Sequence, residues 1–249
     1  ADLVGYSGFS ASNYLTQPYN SDLDFGTGNF FITGWFKIPA NSNIEALICR
    51  TYHNGSSYSG GGQIATSIQT DGTIKFEISD DSWSTRDQFT TSGTVDTNTW
   101  QQFCAVRRGS TLELWLNGEI DATSSVSSAA GSLNNSNGVI HIGMYRTGGI
   151  YPLTTGSVAL VRISATAPSP EQIAKIYEDE KHLFTENAQA TLYGSSDAVT
   201  ALAYDDTTDL LHVGTSGGRS VFQGLRRVDN TTDAVGAAIS ASNGLVVED

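Results

Sequence analysis

The sequence predicts an all-β protein, a sandwich or barrel of short strands. Its composition, its alternating apolar and polar runs, and the tight turns between those runs carry this prediction. Charged residues make up 16% of the chain, against a norm of about 25%, and Gly, Ser, Thr and Asn are abundant. The 39% hydrophobic content is too high for a disordered chain. At 249 residues, the chain suits one large domain or two small ones.

Two turns are the clearest local signals of hairpins. Asn117-Gly118 joins the apolar run 112–116 to the next strand, and an Asn-Gly pair supplies the two positive-φ residues of a type I′ turn. Asp71-Gly72 joins the alternating runs 63–68 and 73–78. Further strands are predicted at 30–38, 100–107, 139–143 and 157–163.

One short helix is predicted after these strands. Ser169 suits the N-cap, Pro170 suits the first helical position, and Gln172 can reach back to close a capping box. The apolar positions recur at helical spacing at Ile173, Ile176 and Tyr177. This stripe is expected to pack on the outside of the sandwich.

The pattern of the chain changes after residue 183. Residues 199–204, 205–209 and 210–215 predict strand, turn and strand, and a further strand follows Gly217-Gly218. Four short strands are about the content of one propeller blade, which cannot bury both of its faces alone. We therefore predict two domains, 1–183 and 184–249, and expect the second to pack on the first or to assemble with copies of itself.

The net charge of −13 argues against binding to nucleic acid or to an anionic membrane surface. No apolar run reaches the roughly 18 residues that span a bilayer. Because the chain begins Ala1-Asp2-Leu3, we expect a processed piece of a longer protein. Cys49 and Cys104 lie in apolar runs, where buried inert thiols are expected, although the sequence does not decide whether they pair.

Three stretches of the first domain carry a family resemblance: 25–37 with Gly34-Trp35-Phe36, 100–119, and 142–177. In this order they resemble the laminin-G-like, concanavalin-A-like jelly roll of many extracellular and viral proteins, over residues 1–183. The turn Asp205-Asp206-Thr207-Thr208-Asp209 is similar to segments of bacteriophage tail proteins. The resemblance implies a jelly-roll β-sandwich with one short helix plus a small β-rich C-terminal module, in an extracellular or virion setting such as a tail fiber.

The family often carries calcium, held by two Asp residues. The corresponding positions here are Ser10 and Ala159, which offer no carboxylate, whereas calcium prefers anionic oxygen ligands. We therefore expect no cofactor. A divergent calcium site remains open at four other acids, Asp22, Asp24, Asp80 and Asp81.

The sequence lacks the patterns of the enzymes that share this fold. A retaining glycosidase needs two carboxyls about 5–5.5 Å apart, but Glu119-Ile120-Asp121 is followed by Ala122, without the third acid. The Gln-Ile/Val-His strand typical of jelly-roll alginate lyases appears as Gln63-Ile64-Ala65. The four histidines are scattered and give no zinc spacing. We expect a protein that is not an enzyme.

Three predicted loops contain aromatic and planar polar residues, which suit sugar recognition when they are exposed. The candidate ligand-binding residues are Tyr52, His53 and Tyr58 in the first loop, Trp83 and Arg86 in the second, and Tyr145, Arg146 and Tyr151 in the third. Trp35, Trp100 and Trp115 lie in predicted strands and are expected in the core.

The preferred hypothesis is a non-catalytic, lectin-like or receptor-binding module of a viral structural protein, which binds a surface polysaccharide or a host receptor. A purely structural decoration or oligomerisation domain is the second hypothesis, and a polysaccharide-degrading lyase or glycosidase is the third. A homo-oligomer is expected, with a trimer favoured.

Overall fold

The computed structural model describes residues 5–40, 43–51, 62–80, 86–127, 131–146, 150–184, 192–193, 198–224 and 226–248. The chain divides into two compact units, Ala1–Tyr177 and Glu178–Asp249. The division lies inside the helix α1 (Pro170–Glu180), a few residues before the boundary that the sequence predicts.

The first unit is a sandwich of two six-stranded antiparallel sheets. From edge to edge, the first sheet contains β1 (Tyr6–Ser7), β14 (Ser157–Ser164), β3 (Phe30–Lys37), β8 (Gln101–Arg108), β9 (Thr111–Leu116) and β10 (Glu119–Ser125). The second sheet contains β2 (Leu15–Gln17), β11 (Val139–Ile142), β4 (Glu45–Thr51), β5 (Gln63–Ile68), β6 (Ile74–Ser79) and β7 (Asp87–Thr90). A separate hairpin contains β12 (Met144–Arg146) and β13 (Ile150–Pro152). The predicted jelly-roll sandwich is confirmed.

The hydrophobic core lies between the facing sides of the two sheets. Phe36 and Phe103 extend from the first sheet, and Phe76 extends from the second; all three are fully buried. Phe30 of the first sheet meets Phe76 edge to face, with 6.1 Å between the ring centroids. Along β6, the alternate residues Ile74, Phe76 and Ile78 point into this core, in the period-2 pattern of a strand.

The helix α1 packs on the outer side of the first sheet, as the apolar stripe predicts. Ile173 is fully buried in a cluster with Cys104 and Trp115. The capping box forms, because the backbone N–H of Ser169 donates to Gln172 Oε1 at 2.8 Å and the backbone N–H of Gln172 donates to Ser169 Oγ at 3.3 Å.

The Asn117-Gly118 hairpin turn is confirmed by its backbone. Asn117 has φ of 52° and Gly118 has φ of 79°, the left-handed pair that a type I′ turn requires. A Cβ at Gly118 would also stand 2.8 Å from Cβ of Tyr177. The glycine is therefore needed both for the turn and for the close approach of α1.

The second unit contains a four-stranded antiparallel sheet and a two-stranded hairpin. The sheet runs β15 (Val199–Asp205), β16 (Leu210–Thr215), β17 (Gly218–Gln223) and β18 (Arg226–Thr231), in sequence order. The hairpin contains β19 (Ile239–Ser242) and β20 (Leu245–Glu248). A small cluster of Ala201, Val235 and Ile239 packs between them.

The described residues contain no helix that is long and apolar enough to cross a bilayer. Cys49 and Cys104 are both buried thiols and do not form a disulfide.

The burial of Ile173 predicts the effect of truncating it. Ile173→Ala should lower the free energy of unfolding by about 2–5 kcal/mol, because a cavity opens where α1 meets the sheet. Urea unfolding followed by tryptophan fluorescence measures this, since all four tryptophans lie in the first unit. Lys175→Ala, at an exposed position of the same helix, is the control. Equal stability of the two variants would show that the helix is not anchored at Ile173.

Candidate ligand-binding face

The side of the second sheet that faces away from the core carries buried polar side chains beside a small apolar cluster. The register places Gln63 opposite Ser79 and Ala65 opposite Glu77, so these side chains share one face. We call this side of β4, β5 and β6 the outer face. Gln63, Glu77 and Ser79 are fully buried there although they point away from the core. A buried polar face needs partners for its groups, and Glu77 has several.

Glu77 lies at the centre of a charged cluster on the outer face. Its Oε1 is 3.2 Å from Lys75 Nζ and its Oε2 is 3.5 Å from Arg86 Nη1. The hydroxyl of Tyr145 donates a hydrogen bond to Glu77 Oε1. Two cations and one hydroxyl thus compensate a carboxylate that is removed from water. The side chain of Arg86 remains 40% exposed.

The β12–β13 hairpin contributes the aromatic side chains of this face. Tyr145 packs against the small side chains of Ala46 and Ala65 and against Cys49. The ring centroids of Tyr145 and Tyr151 are 5.9 Å apart. Tyr145 is only 4% exposed, so it supports the face rather than presenting an open ring, and Tyr151 is half-buried.

The structure brings together residues from two of the three predicted binding loops. Arg86 and Tyr145 both contact Glu77, and Tyr151 lies beside Tyr145. Arg146 ends β12. Four predicted residues lie outside the described ones, namely Tyr52, His53, Tyr58 and Trp83. Ligand contact by any of the eight residues stays a prediction.

The ends of the first two loops are nevertheless fixed by the strands that flank them. The first loop leaves β4 at Thr51 and returns at Gln63, and the second leaves β6 at Ser79 and returns at Asp87. Gln63 and Ser79 are direct cross-strand partners. Both loops therefore start and end at the same end of the second sheet.

Arg50 ties this end of the sheet to distant parts of the chain. It is buried in β4, and its guanidinium donates to the backbone oxygens of Leu133 at 2.6 Å, Asn135 at 3.2 Å and Gly62 at 3.3 Å. It also pairs with Asp24 Oδ1 at 2.5 Å.

Asp24 is the anion of this cluster. Burial raises its pKa, but hydrogen bonds from the Asn135 N–H, the Tyr19 hydroxyl and Arg50 together bring the pKa below its ordinary value. Its carboxylate is already bonded to these donors. The Asp80 carboxylate accepts the N–H of Gly131 at 3.0 Å. No three His, Cys, Asp or Glu residues in the described ranges lie together as a metal site, and the absence of a cofactor stays a prediction.

The two acids of β10 lie in different surroundings. A bulge between Ile120 and Ala122 interrupts the strand at Asp121. The Asp121 carboxylate accepts the backbone N–H of Ser92, and Glu119 is exposed beside the hairpin turn. Of the tryptophans expected in the core, Trp35 and Trp115 are buried and Trp100 is partly exposed.

Sequence reasoning did not identify Lys75 and Glu77 as members of a site. Their signal is the strict alternation of 73–78, which places both side chains on the face opposite Ile74 and Phe76. Their connection to Arg86 and Tyr145 depends on strand register, which the sequence does not give.

Comparison with known proteins identifies the family. Residues 9–174 match the sequence model of the Concanavalin A-like lectin/glucanases superfamily, in its Laminin_G_3 form. The chain belongs to this superfamily. No curated protein matches it.

Solved structures share the fold at low sequence identity. The binding domain of botulinum neurotoxin DC, solved with rat synaptotagmin II, is 13% identical, with a TM-score of 0.55, and the match covers 92% of this chain and 55% of that one. A botulinum neurotoxin type C structure, whose cell entry depends on two ganglioside molecules, is 14% identical (TM-score 0.54; 94% and 55% covered). The Ruminococcus gnavus IT-sialidase CBM40 bound to α2,3-sialyllactose is 12% identical (TM-score 0.50; 71% and 100% covered). The chain thus spans about half the length of each toxin domain.

Removal of Asp24 should destabilise the loop end of the sandwich. Asp24→Ala leaves the Arg50 guanidinium buried without its anion, and we expect a loss of about 3–5 kcal/mol in the free energy of unfolding. Asp24→Asn keeps an acceptor oxygen and should lose less. Urea unfolding measures both, with Asp22→Ala at a nearby exposed position as control. A loss no larger than that of the control would contradict the role of the pair.

The burial of Glu45 predicts that the free energy of unfolding depends on pH. It is 1% exposed, its Oε1 accepts from the Thr154 hydroxyl at 3.0 Å, and its Oε2 has no hydrogen-bond partner among the described residues. Burial raises its pKa, so the folded chain holds this proton more tightly than the unfolded chain. The contribution of Glu45 to the free energy of unfolding is therefore present at low pH. It is lost as the pH rises from the ordinary carboxyl pKa through the raised pKa of the folded chain.

Glu45→Gln should remove this loss and make the variant more stable than the unmodified chain at pH 7, but not at pH 3. Denaturant unfolding across this range measures the difference. Glu119→Gln, an exposed acid on β10, is the control. If Glu45→Gln destabilised the chain equally at both pH values, the burial argument would be wrong.

Proposed function

We propose that the first unit is a non-catalytic module that binds carbohydrate or a receptor on the outer face of its second sheet. The observation that carries the proposal is the meeting of Arg86 and Tyr145 at Glu77, because it joins two of the predicted binding loops on one buried polar face. The first loop starts and ends beside the second. A rigid sheet that presents several loops at one end is a common basis for binding.

The chemistry of this face suits sugar hydroxyls or acidic groups. Arg86 pairs with Glu77 while its side chain remains 40% exposed, and a guanidinium donates in a fixed planar geometry. Tyr151 lies half-buried against Tyr145, where its ring can pack on the C–H surface of a sugar. Preorganised groups of this kind bind with a smaller loss of side-chain entropy.

The comparisons support the proposal through the fold. The superfamily includes lectins by its description, and the three solved structures involve synaptotagmin, gangliosides and sialyllactose as their partners. The proposal of a non-catalytic module draws support from the bulge at Asp121, which separates the roles of the two acids on β10.

The wider setting belongs to the same proposal. The ligand is a surface polysaccharide or host receptor, and the chain is part of an extracellular or virion structure such as a bacteriophage tail fiber. The support for this setting is the similarity of the 205–209 turn to segments of tail proteins.

Binding assays on the intact chain test the site. A glycan array first identifies a ligand, and isothermal titration then compares Arg86→Lys and Tyr151→Ala with the unmodified chain. Arg86→Lys keeps a positive charge beside Glu77 but loses the planar donor pair. We expect each variant to bind at least about tenfold more weakly, which corresponds to one charged hydrogen bond or ring contact.

Matched controls lie on the other sheet. Arg162→Lys on β14 and Tyr6→Ala on β1 make the same changes at exposed positions away from the outer face. If the controls weakened binding as much as the site variants, or if no variant changed it, the ligand would bind elsewhere. Absence of binding to diverse glycans and candidate receptors would overturn the proposal.

A further inference from the structure

The four-stranded sheet of the second unit has two edges that no described strand covers. β15 pairs only with β16, and β18 pairs only with β17. An exposed edge presents a row of backbone N–H and C=O groups that can pair with another chain. Because the sheet has four strands and every pairing is antiparallel, the edge strands β15 and β18 run in opposite directions.

The two edges carry opposite charges at the same end of the sheet. The register places Tyr204, Leu211, Phe222 and Arg227 in one row across the four strands. Arg226 and Arg227 thus begin β18 at the end where β15 runs into the acidic turn 205–209. Residues 186–249 contain three arginines, and two of them lie at the start of β18.

The acids of the turn differ in what they contact. Asp205 is buried, and its carboxylate accepts the N–H groups of Thr207 at 3.0 Å and Gly244 at 2.6 Å. Asp206 and Asp209 are exposed, and Asp209 accepts the Tyr204 hydroxyl at 2.8 Å. Asp205 therefore builds the turn, while Asp206 and Asp209 present negative charge at the edge.

Large apolar side chains accompany the charges on this sheet. Leu202 is 60% exposed and Tyr204 is 57% exposed on β15, and Val228 on β18 is 41% exposed. The alternate residues of β15, Ala201 and Ala203, pack against the β19–β20 hairpin. One face of β15 is therefore covered and the other carries apolar side chains in water, which is typical of an interaction surface.

We propose that β18 of one copy pairs with β15 of a second copy, so that the sheet continues from chain to chain. The strands meet antiparallel, and rows that are continuous within one copy stay continuous across the contact. Arg227 then lies beside Tyr204 of the neighbouring copy, close to its Asp206 and Asp209. Asp229 lies level with Ala203 of the neighbour, where it meets no acid.

This contact joins different surfaces of the two copies. Such head-to-tail contacts close into a ring when the rotation between copies allows it, and the trimer expected from the sequence is one such ring. A symmetric dimer would pair β15 with β15 or β18 with β18. The acidic edge of one copy would then not meet the basic edge of the other.

Charge exchange at the two edges tests the proposal on the full chain. The basic-edge variant is Arg226→Glu with Arg227→Glu. The acidic-edge variant is Asp206→Lys with Asp209→Asn, because Asp209 has φ of 55° and Asn tolerates this conformation. The exchange variant carries all four substitutions. Asp233→Lys, an exposed acid beyond the other end of β18, is the control.

Sedimentation velocity from roughly 1 to 100 µM measures association, in the range expected of a modest interface. We expect oligomers for the unmodified chain, a dissociation constant raised about tenfold or more in each single-edge variant, and recovery in the exchange variant. The control should associate normally. Recovery in the exchange variant also shows that the substitutions leave the unit folded.

Other results would overturn the proposal. A monomer throughout the concentration range would exclude the contact, and association that responds to one edge alone would indicate a symmetric dimer. Association that responds to neither edge would place the contact elsewhere. A salt titration of the unmodified chain gives an independent measurement, because association through these charges should weaken as salt rises, whereas a purely apolar contact would not.

Discussion

A buried guanidinium organises the loop end of the sandwich. Arg50 lies within β4, and its donors reach three backbone oxygens and one carboxylate on segments that are far apart in sequence. A bound cation could hold such oxygens in a similar way, but here a covalently attached side chain does so. Because the charge is removed from water, its neutralisation by Asp24 stabilises the folded state. The strands that flank the first two loops begin and end beside this cluster.

The outer face of the second sheet depends on a similar compensation. Glu77 is fully buried, and the cations that neutralise it come from β6 and from the residue that precedes β7. Tyr145 reaches it from the separate β12–β13 hairpin, which can lie close to the sheet because Ala46 and Ala65 are small. The same contacts that stabilise the carboxylate also fix Arg86, so folding and the arrangement of the candidate site are linked.

The local features of the fold could be predicted from the sequence because few residues decide each of them. Asn117-Gly118 specifies its turn by backbone preference alone, and Ser169 with Gln172 specifies the start of α1. The candidate site is different, since Glu77 and Tyr145 are separated by 68 positions and meet only through strand register and hairpin placement. For the same reason the sequence does not distinguish Tyr145, whose ring is buried, from Tyr151, whose ring is half-buried.

The two thiols of the sandwich lie under different outer layers. Cys49 is covered by the tyrosines of the β12–β13 hairpin, and Cys104 is covered by α1. Neither sulfur can react with an alkylating reagent until the layer above it opens by local unfolding. The free energy of this opening is a separate local property of each layer. The rates of modification at the two cysteines would thus report, from one unmodified sample, how often each layer opens. A ligand bound over the hairpin would slow the reaction at Cys49 while leaving Cys104 as an internal reference.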